Sequence, residues 1–147
     1  MKMEGSYSIP VPRELVYKRL LDPQTLAQVL PGCEKLEPNP DGSYHAEMKV
    51  GVAGVKGTYQ GRVEILDQDP PNRFRMKVEG QGKAGFLKGD AVLNFAEAGS
   101  GTTISYSGDA QVGGMIAAIG QRMIQAATKQ ILSQFFQSFT QHIQNQS

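Results

Sequence analysis

Two histidines, one cysteine and five tyrosines are the residues of this 147-residue chain to which proton transfer, nucleophilic attack or metal ligation would fall. Their spacing argues against all three. His45 and His142 lie far apart in the sequence, and together with the lone Cys33 they assemble neither a zinc-ligand spacing nor an internal disulfide. His45 falls in an outward register and His142 in a glutamine-rich final turn. Cys33 follows the helix-stopping Pro31-Gly32 pair and reads as a small buried hydrophobe rather than a reactive thiol. Gly51, Gly54, Gly80, Gly82 and Gly85 make no dinucleotide fingerprint, because no strand-turn-helix unit surrounds them. No catalytic residue, metal or cofactor is therefore expected. Tyrosine remains: Tyr44, Tyr59 and Tyr106 fall on rows that are otherwise apolar, where a hydroxyl can orient a carbonyl or a headgroup.

Those rows depend on the elements that carry them. A first strand near Lys2 to Ile9 is followed by Pro10 and Pro12, then by Leu15, Val16, Arg19 and Leu20 at helical spacing as far as Asp22. Pro23 starts a second short helix, with Leu26, Val29 and Leu30 on one face, which Pro31-Gly32 stops. From Cys33 to Val112 the period is two, broken by turns at Asn39 to Gly42, Gly51 to Gly54, Asp69 to Asn72, Gly82 to Gly85 and Gly99 to Gly101. Six consecutive antiparallel strands follow, seven with the first. Pro38 and Pro40 put the first of the six at a sheet edge, since proline cannot donate to an interior ladder. From Met115 to Ile143 the period is helical again, about 29 residues or roughly 43 Å. Counted at 100° per residue, Ile116, Ile119, Met123 and Ala127 share one direction, and Leu132, Phe135, Phe139 and Ile143 another roughly 150° away. Either the buried face rotates along this helix or the helix kinks near Gly120. The expected fold is α+β: one domain over 1–147, a curved seven-stranded antiparallel sheet wrapped around a long C-terminal helix.

Sorting the strands by their period of two puts every charge on one face. The other face carries Tyr44, Ala46, Met48, Val50 and Val52, then Val55, Gly57, Tyr59, Gly61, Val63 and Ile65. Its later rows are Phe74, Met76, Val78, Gly80 and Gly82, then Leu87, Gly89, Ala91, Leu93 and Phe95, then Ile104, Tyr106, Gly108, Ala110 and Val112. Three readings explain so many inward glycines: a strongly coiled sheet, close approach of the long helix, or an apolar cavity between the two. On the cavity reading the ligand-binding residues are Leu30, Tyr44, Met48, Val50, Tyr59 and Val63, with Met76, Val78, Ala91, Leu93, Phe95, Tyr106 and Ala110. Met115, Ile116, Ile119 and Met123 close it from the helix, and Val55, Phe86 and Leu87 stand at its mouth. Methionine suits an irregular ligand, though each one alone is an ordinary core residue.

Fifteen basic and fourteen acidic residues leave a net charge of +1, with no block of either sign, so nucleic acid is not an expected partner. Lys83, Lys88, Arg73, Arg75 and Lys77 read as a solvated sheet face, the more common case, or as a patch toward anionic lipid or an acidic partner. No apolar run reaches a membrane span, and Met1 to Ile9 lacks the apolar core of a secretion signal. The expected location is the cytoplasm, with transient contact at the inner face of the membrane.

Three segments carry a family likeness: Asp22-Pro23 through Leu30-Pro31-Gly32-Cys33-Glu34, Val50-Gly51-Val52 through Val55-Lys56-Gly57, and Gly113-Gly114-Met115 with Ile119-Gly120. On these the chain resembles the carbon monoxide dehydrogenase CoxG family within the START-like (SRPBCC) helix-grip superfamily, over nearly its whole length. Tyr17 stands where the family's first helix is expected to carry tryptophan. The resemblance implies a pocket for a hydrophobic small molecule, quinone-like or otherwise lipid-like, and a link to a molybdenum hydroxylase of the carbon monoxide dehydrogenase type. Some members have a C-terminal tail that could anchor them; this sequence reaches Ser147 without one. The function expected first is a non-catalytic carrier coupling such an enzyme to the membrane quinone pool. The alternatives are an assembly or maturation factor without a physiological ligand, and a cyclase or hydrolase like other helix-grip proteins.

Overall fold

In a computed structural model, which describes residues 1–145, strand β1 (Lys2–Ile9) leads into two short helices, α1 (Arg13–Leu20) and α2 (Pro23–Val29). Asp22 caps α2, its carboxylate accepting the Gln24 amide at 3.0 Å, and Pro23 occupies the first turn, where no amide is needed. Six strands follow: β2 (Cys33–Pro38), β3 (Tyr44–Val50), β4 (Gly57–Asp69), β5 (Arg73–Gly82), β6 (Gly85–Ala98) and β7 (Gly101–Gly113). They form one antiparallel sheet in the order β1-β7-β6-β5-β4-β3-β2, which leaves proline-bearing β2 at an edge. β4 bulges between Leu66 and Asp69, where Asp67 takes a φ of 51°.

The C-terminal element differs from the single helix that the periodicity predicts. Met115–Ile119 is a short 3-10 helix, Gly120 breaks the chain at φ 95°, and the α-helix α3 runs Gln121–Asn145. The phase counted from Ile116 is therefore lost at Gly120. Counted from Ile124 instead, buried Ala127, Phe135, Phe139 and Ile143 fall at about −60°, 20°, 60° and 100°, so the buried face also rotates along α3 itself. Met123, which the phase from Ile116 puts on the inner face, is 52% exposed.

Packing divides the molecule into two ends. At one, Val16, Tyr17 and Leu20 of α1 and Val29 of α2 meet Phe74, Leu93, Phe95 and Ile104 of the sheet and Phe135, Phe136, Phe139 and Ile143 of α3. Tyr17 fills the place of the expected tryptophan: its ring packs edge-on to Phe74 and Phe95, and its hydroxyl donates to the Arg73 carbonyl at 2.9 Å. Among the inward residues at the other end, only Ala46, Val52, Ile116, Ile124 and Ala127 are buried among the described residues.

The charged face behaves as its alternation requires. Arg75 holds Asp90 through two bonds of 2.9 and 2.6 Å, and Arg62 bridges Asp41 and Glu64, each at 2.6 Å. The hydroxyl and amide of Ser43, with Arg62 beside them, hold the Asp41 carboxyl well below the usual carboxylate range.

Candidate functional site

The loosely packed end lies between β3 to β7 on one side and the first half of α3 on the other. Met48, Val50, Tyr59, Val63, Val78 and Ala110 face inward there, yet solvent still reaches each of them, and none belongs to the packed core. No charged side chain enters these rows, because each charged position of β3 to β7 in this region has the opposite parity.

The inward glycines separate the three readings. A Cβ added at Gly61, Gly82 or Gly108 would come within 2.9, 2.3 or 2.3 Å of a backbone oxygen on the adjacent strand, which is what tight sheet coiling demands. At Gly80 and Gly89 the nearest atom would be a backbone oxygen 4.0 Å away. None of these glycines lies against α3, so close helix approach explains none of them. Gly80 and Gly89 therefore have room for a side chain on the inward face, where the other three do not.

Two clefts lie at this end, one on the inner side of the sheet and one on its outer side. One, of about 330 Å³, passes between Pro31, Met48, Val50 and Val52 on one side and Gln130, Ile131 and Gln134 of α3 on the other. The second, of about 770 Å³, lies on the outer side, between Lys56 to Thr58, Gln60, Gln81 to Ala84 and Met115, where Lys56, Thr58, Gln60, Gln81 and Lys83 have the outward register. The Gly51 to Lys56 loop separates them, with Val52 buried and Gly54 against Ile119 and Met123. The Tyr59 hydroxyl ties this loop down by donating to the Val55 carbonyl at 2.7 Å.

Of the tyrosines assigned to orient a ligand, Tyr59 thus has its donor engaged, while Tyr106 and Tyr44 have no hydrogen-bond partner among the described residues. Burial pushes the Tyr106 and Tyr59 phenols up, so both stay protonated at neutral pH. Replacing Tyr59 by phenylalanine should cost about 1 kcal/mol of stability. If that loop gates the space, exchange of a bound apolar fluorophore should also quicken; an unchanged exchange rate would leave the bond a purely structural one.

Other assigned residues sit elsewhere. Leu93 and Phe95 are core residues, Phe95 within an aromatic cluster with Tyr17 and Phe74, so neither is free to line a cavity. Leu30, Met76, Ala91 and Tyr106 pack against that core at its boundary with the open end. Phe86 has the outward register rather than the inward one: it pairs with outward Gln81, and its ring covers Gly113. Leu87 keeps the inward register beside Gly80 but is 37% exposed, and Met115 stands outside at 70%. Sequence reasoning placed Val52 on the inward face without assigning it to the site, and missed Ile131 and the Gln130 and Gln134 amides. The Ile124, Ala127, Ile131 spacing was available to find Ile131 once α3 was started after Gly120. His45 lies on the outer face 3.5 Å from Glu47, and the Cys33 thiol is pushed up by burial while its Sγ lies 3.6 Å from the Lys35 carbonyl. The described residues contain no group of side chains suited to hold a metal and no helix long and apolar enough to cross a membrane.

A curved seven-stranded sheet closed over a long C-terminal helix, half packed and half open, defines a START-like helix-grip protein. The chain belongs to the CoxG family of carbon monoxide dehydrogenase subunits, whose family model matches residues 5–144. It is similar to a conserved protein from Geobacillus kaustophilus of known structure: 33% identity, 99% of this chain and 96% of that one covered, TM-score 0.95. A START superfamily protein from Mycobacterium smegmatis shares the fold at 9% identity, covering 99% of both chains with a TM-score of 0.75. A protein from Chromobacterium violaceum does so at 22% identity, covering 91% of this chain and 94% of its own, with a TM-score of 0.66. None of the curated proteins compared matches the chain.

Proposed function

We propose that the chain is a non-catalytic carrier of a neutral, elongated apolar molecule, of the quinone or isoprenoid-lipid class, held between the sheet and the first half of α3. The observation that carries this reading is the room for a side chain at Gly80 and Gly89, on inward rows that hold no charged residue and whose apolar members stay open to solvent. An ionised headgroup would enter that space unpaired, at a cost of several kcal/mol or a shifted pKa, so a fatty acid is disfavoured against a neutral ligand. Tyr106 is a protonated donor with no hydrogen-bond partner among the described residues, and a quinone carbonyl is an acceptor that suits it. Burial at about 25 cal/mol per Å² makes the tail the source of affinity and leaves the headgroup to set direction. Membership of the CoxG family supports a molybdenum hydroxylase of the carbon monoxide dehydrogenase type as the enzyme served, with the membrane quinone pool as the other terminus. The residues assigned to the site are then Met48, Val50, Val63, Val78, Ala110 and Tyr106, with Ile131 added.

Native mass spectrometry of protein purified from its own host without detergent tests the reading. A retained neutral lipid, lost after organic extraction and regained from host membranes, is the expected result. Protein that is uniformly unloaded and takes up nothing from those membranes would refute it.

A further inference from the structure

The near-neutral composition of the chain conceals a segregation of charge that its folding produces. Segments 48–63, 80–89 and 110–124 contain six basic residues, Lys49, Lys56, Arg62, Lys83, Lys88 and Arg122, and no acidic one. The rest of the chain holds nine basic residues against fourteen acidic. The sheet register brings the three segments together: they supply the end of β3, the start of β4, the end of β5, the start of β6, the end of β7 and the start of α3. The Ile116 amide donates to the Ala84 carbonyl at 2.8 Å, and Gly54 lies against Ile119 and Met123, so the turns form one continuous rim. Arg62 is held by Asp41 and Glu64, whereas Lys49, Lys56, Lys83, Lys88 and Arg122 enter no ion pair among the described residues. The acids that border the rim along the ladders are Glu47, opposite Gln60, Glu79, opposite Lys88 and Arg62, and Asp109, opposite Lys2 and Asp90.

The same rim carries the exposed grease of the molecule. Phe86, Leu87, Met115 and Met123, the large apolar side chains exposed among the described residues, all lie on it, at 43, 37, 70 and 52% exposure. Lys56, Lys83 and Met115 line one cleft, and Phe86 and Lys88 another. Exposed apolar side chains at the ends of elements, among lysines without ion pairs, have a definite physical use: the apolar groups enter the acyl boundary while the ammonium groups stay among phosphates. Protein interfaces, by contrast, are depleted in lysine and enriched in arginine.

We infer that this rim docks on an anionic lipid bilayer, with the open end of the site toward the membrane and the acidic remainder of the molecule away from it. The inference rests on the carrier reading for the identity of its partner, since a bilayer is where such a ligand resides. It also fixes an orientation, because repulsion of the acidic end disfavours any other approach.

Co-sedimentation of the full chain with phosphatidylcholine vesicles, with and without about 30% phosphatidylglycerol, tests it at about 0.05 and 0.5 M salt. Binding is expected only with phosphatidylglycerol and only at low salt. A triple variant Lys56→Gln, Lys83→Gln, Lys88→Gln should bind roughly a hundredfold more weakly, about fivefold for each lysine near the surface. Lys18→Gln, Arg73→Gln, Lys77→Gln makes the same change of net charge elsewhere and should bind within about twofold of wild type, because screening confines the effect to charges near the lipid. Met115→Gln, at an exposed position where folding is insensitive, should weaken binding severalfold. Indifference to phosphatidylglycerol, or equal losses in the two triple variants, would overturn the inference. Native mass spectra of the same preparations keep the two readings apart. A chain that binds vesicles but never holds a lipid retains the docking face and loses the carrier role, and a loaded chain that ignores vesicles does the reverse.

Discussion

Leucine at Gly89 will leave the chain folded and lower its affinity for an apolar ligand by roughly two orders of magnitude. Gly89 sits between Val78 and Ala110 across the ladder, and the nearest atom to a Cβ there would be a backbone oxygen at 4.0 Å. A leucine side chain brings about four carbons into space the ligand would occupy, and displacing as many buried methylenes at about 0.8 kcal/mol each amounts to roughly 3 kcal/mol. Stability should stay within about 1 kcal/mol of wild type, since a strand gains from losing glycine what it loses by exposing an apolar group. Alanine at Gly108 is the counterpart. Its Cβ would lie 2.3 Å from the Asp90 carbonyl oxygen and 2.7 Å from Ala91, so that smaller change should destabilise the sheet. Thermal unfolding and ligand titration of the two variants read both effects. Undiminished affinity in the folded Gly89→Leu protein would place the ligand somewhere else.

Truncating Phe139 to alanine is expected to cost about 3–5 kcal/mol, a large part of the roughly 5–15 kcal/mol that holds a domain of this size. Phe139 is 0% exposed and stacks on Phe135 at 5.9 Å, with α1, β1 and the first half of β7 closing the rest of the cluster, so little can collapse into the void. The melting temperature should fall by about 10–15 °C. Affinity for the apolar ligand, measured on the fraction still folded, should hold within about twofold, because Phe139 packs at the filled end and Gly80 and Gly89 open at the other. A loss below about 1 kcal/mol would mean that the cluster is not a rigid core, and a parallel loss of affinity would join the two ends into one unit.

Residue order alone was enough to establish the succession of the strands and helices as far as Gly113, the edge position of β2, and which face of each strand is charged; the break of the last element at Gly120 it left open. These follow from local chemistry: proline denies a donor, paired glycines turn the chain, and a period of two sorts side chains without reference to any other strand. The family likeness is equally local, carried by the segments around Asp22-Pro23, Val50 to Gly57 and Gly113 to Gly120.

How full the interior is could not be read this way. Phe95 and Val78 are indistinguishable as inward apolar positions, yet one is sealed among Tyr17 and Phe74 while the other stays open to solvent. The difference lies in which partners arrive over them: α1 and the phenylalanines of α3 cover one end, and nothing as large covers the other. Nor could composition show the cationic rim, since Lys56, Lys83 and Arg122 are dozens of residues apart and become neighbours only when antiparallel pairing sets the end of β5 beside the start of β4 and the 3-10 helix against the Ala84 turn. Charge and cavity are both sums over positions that are distant in the chain, and their values exist once the chain has folded and not before.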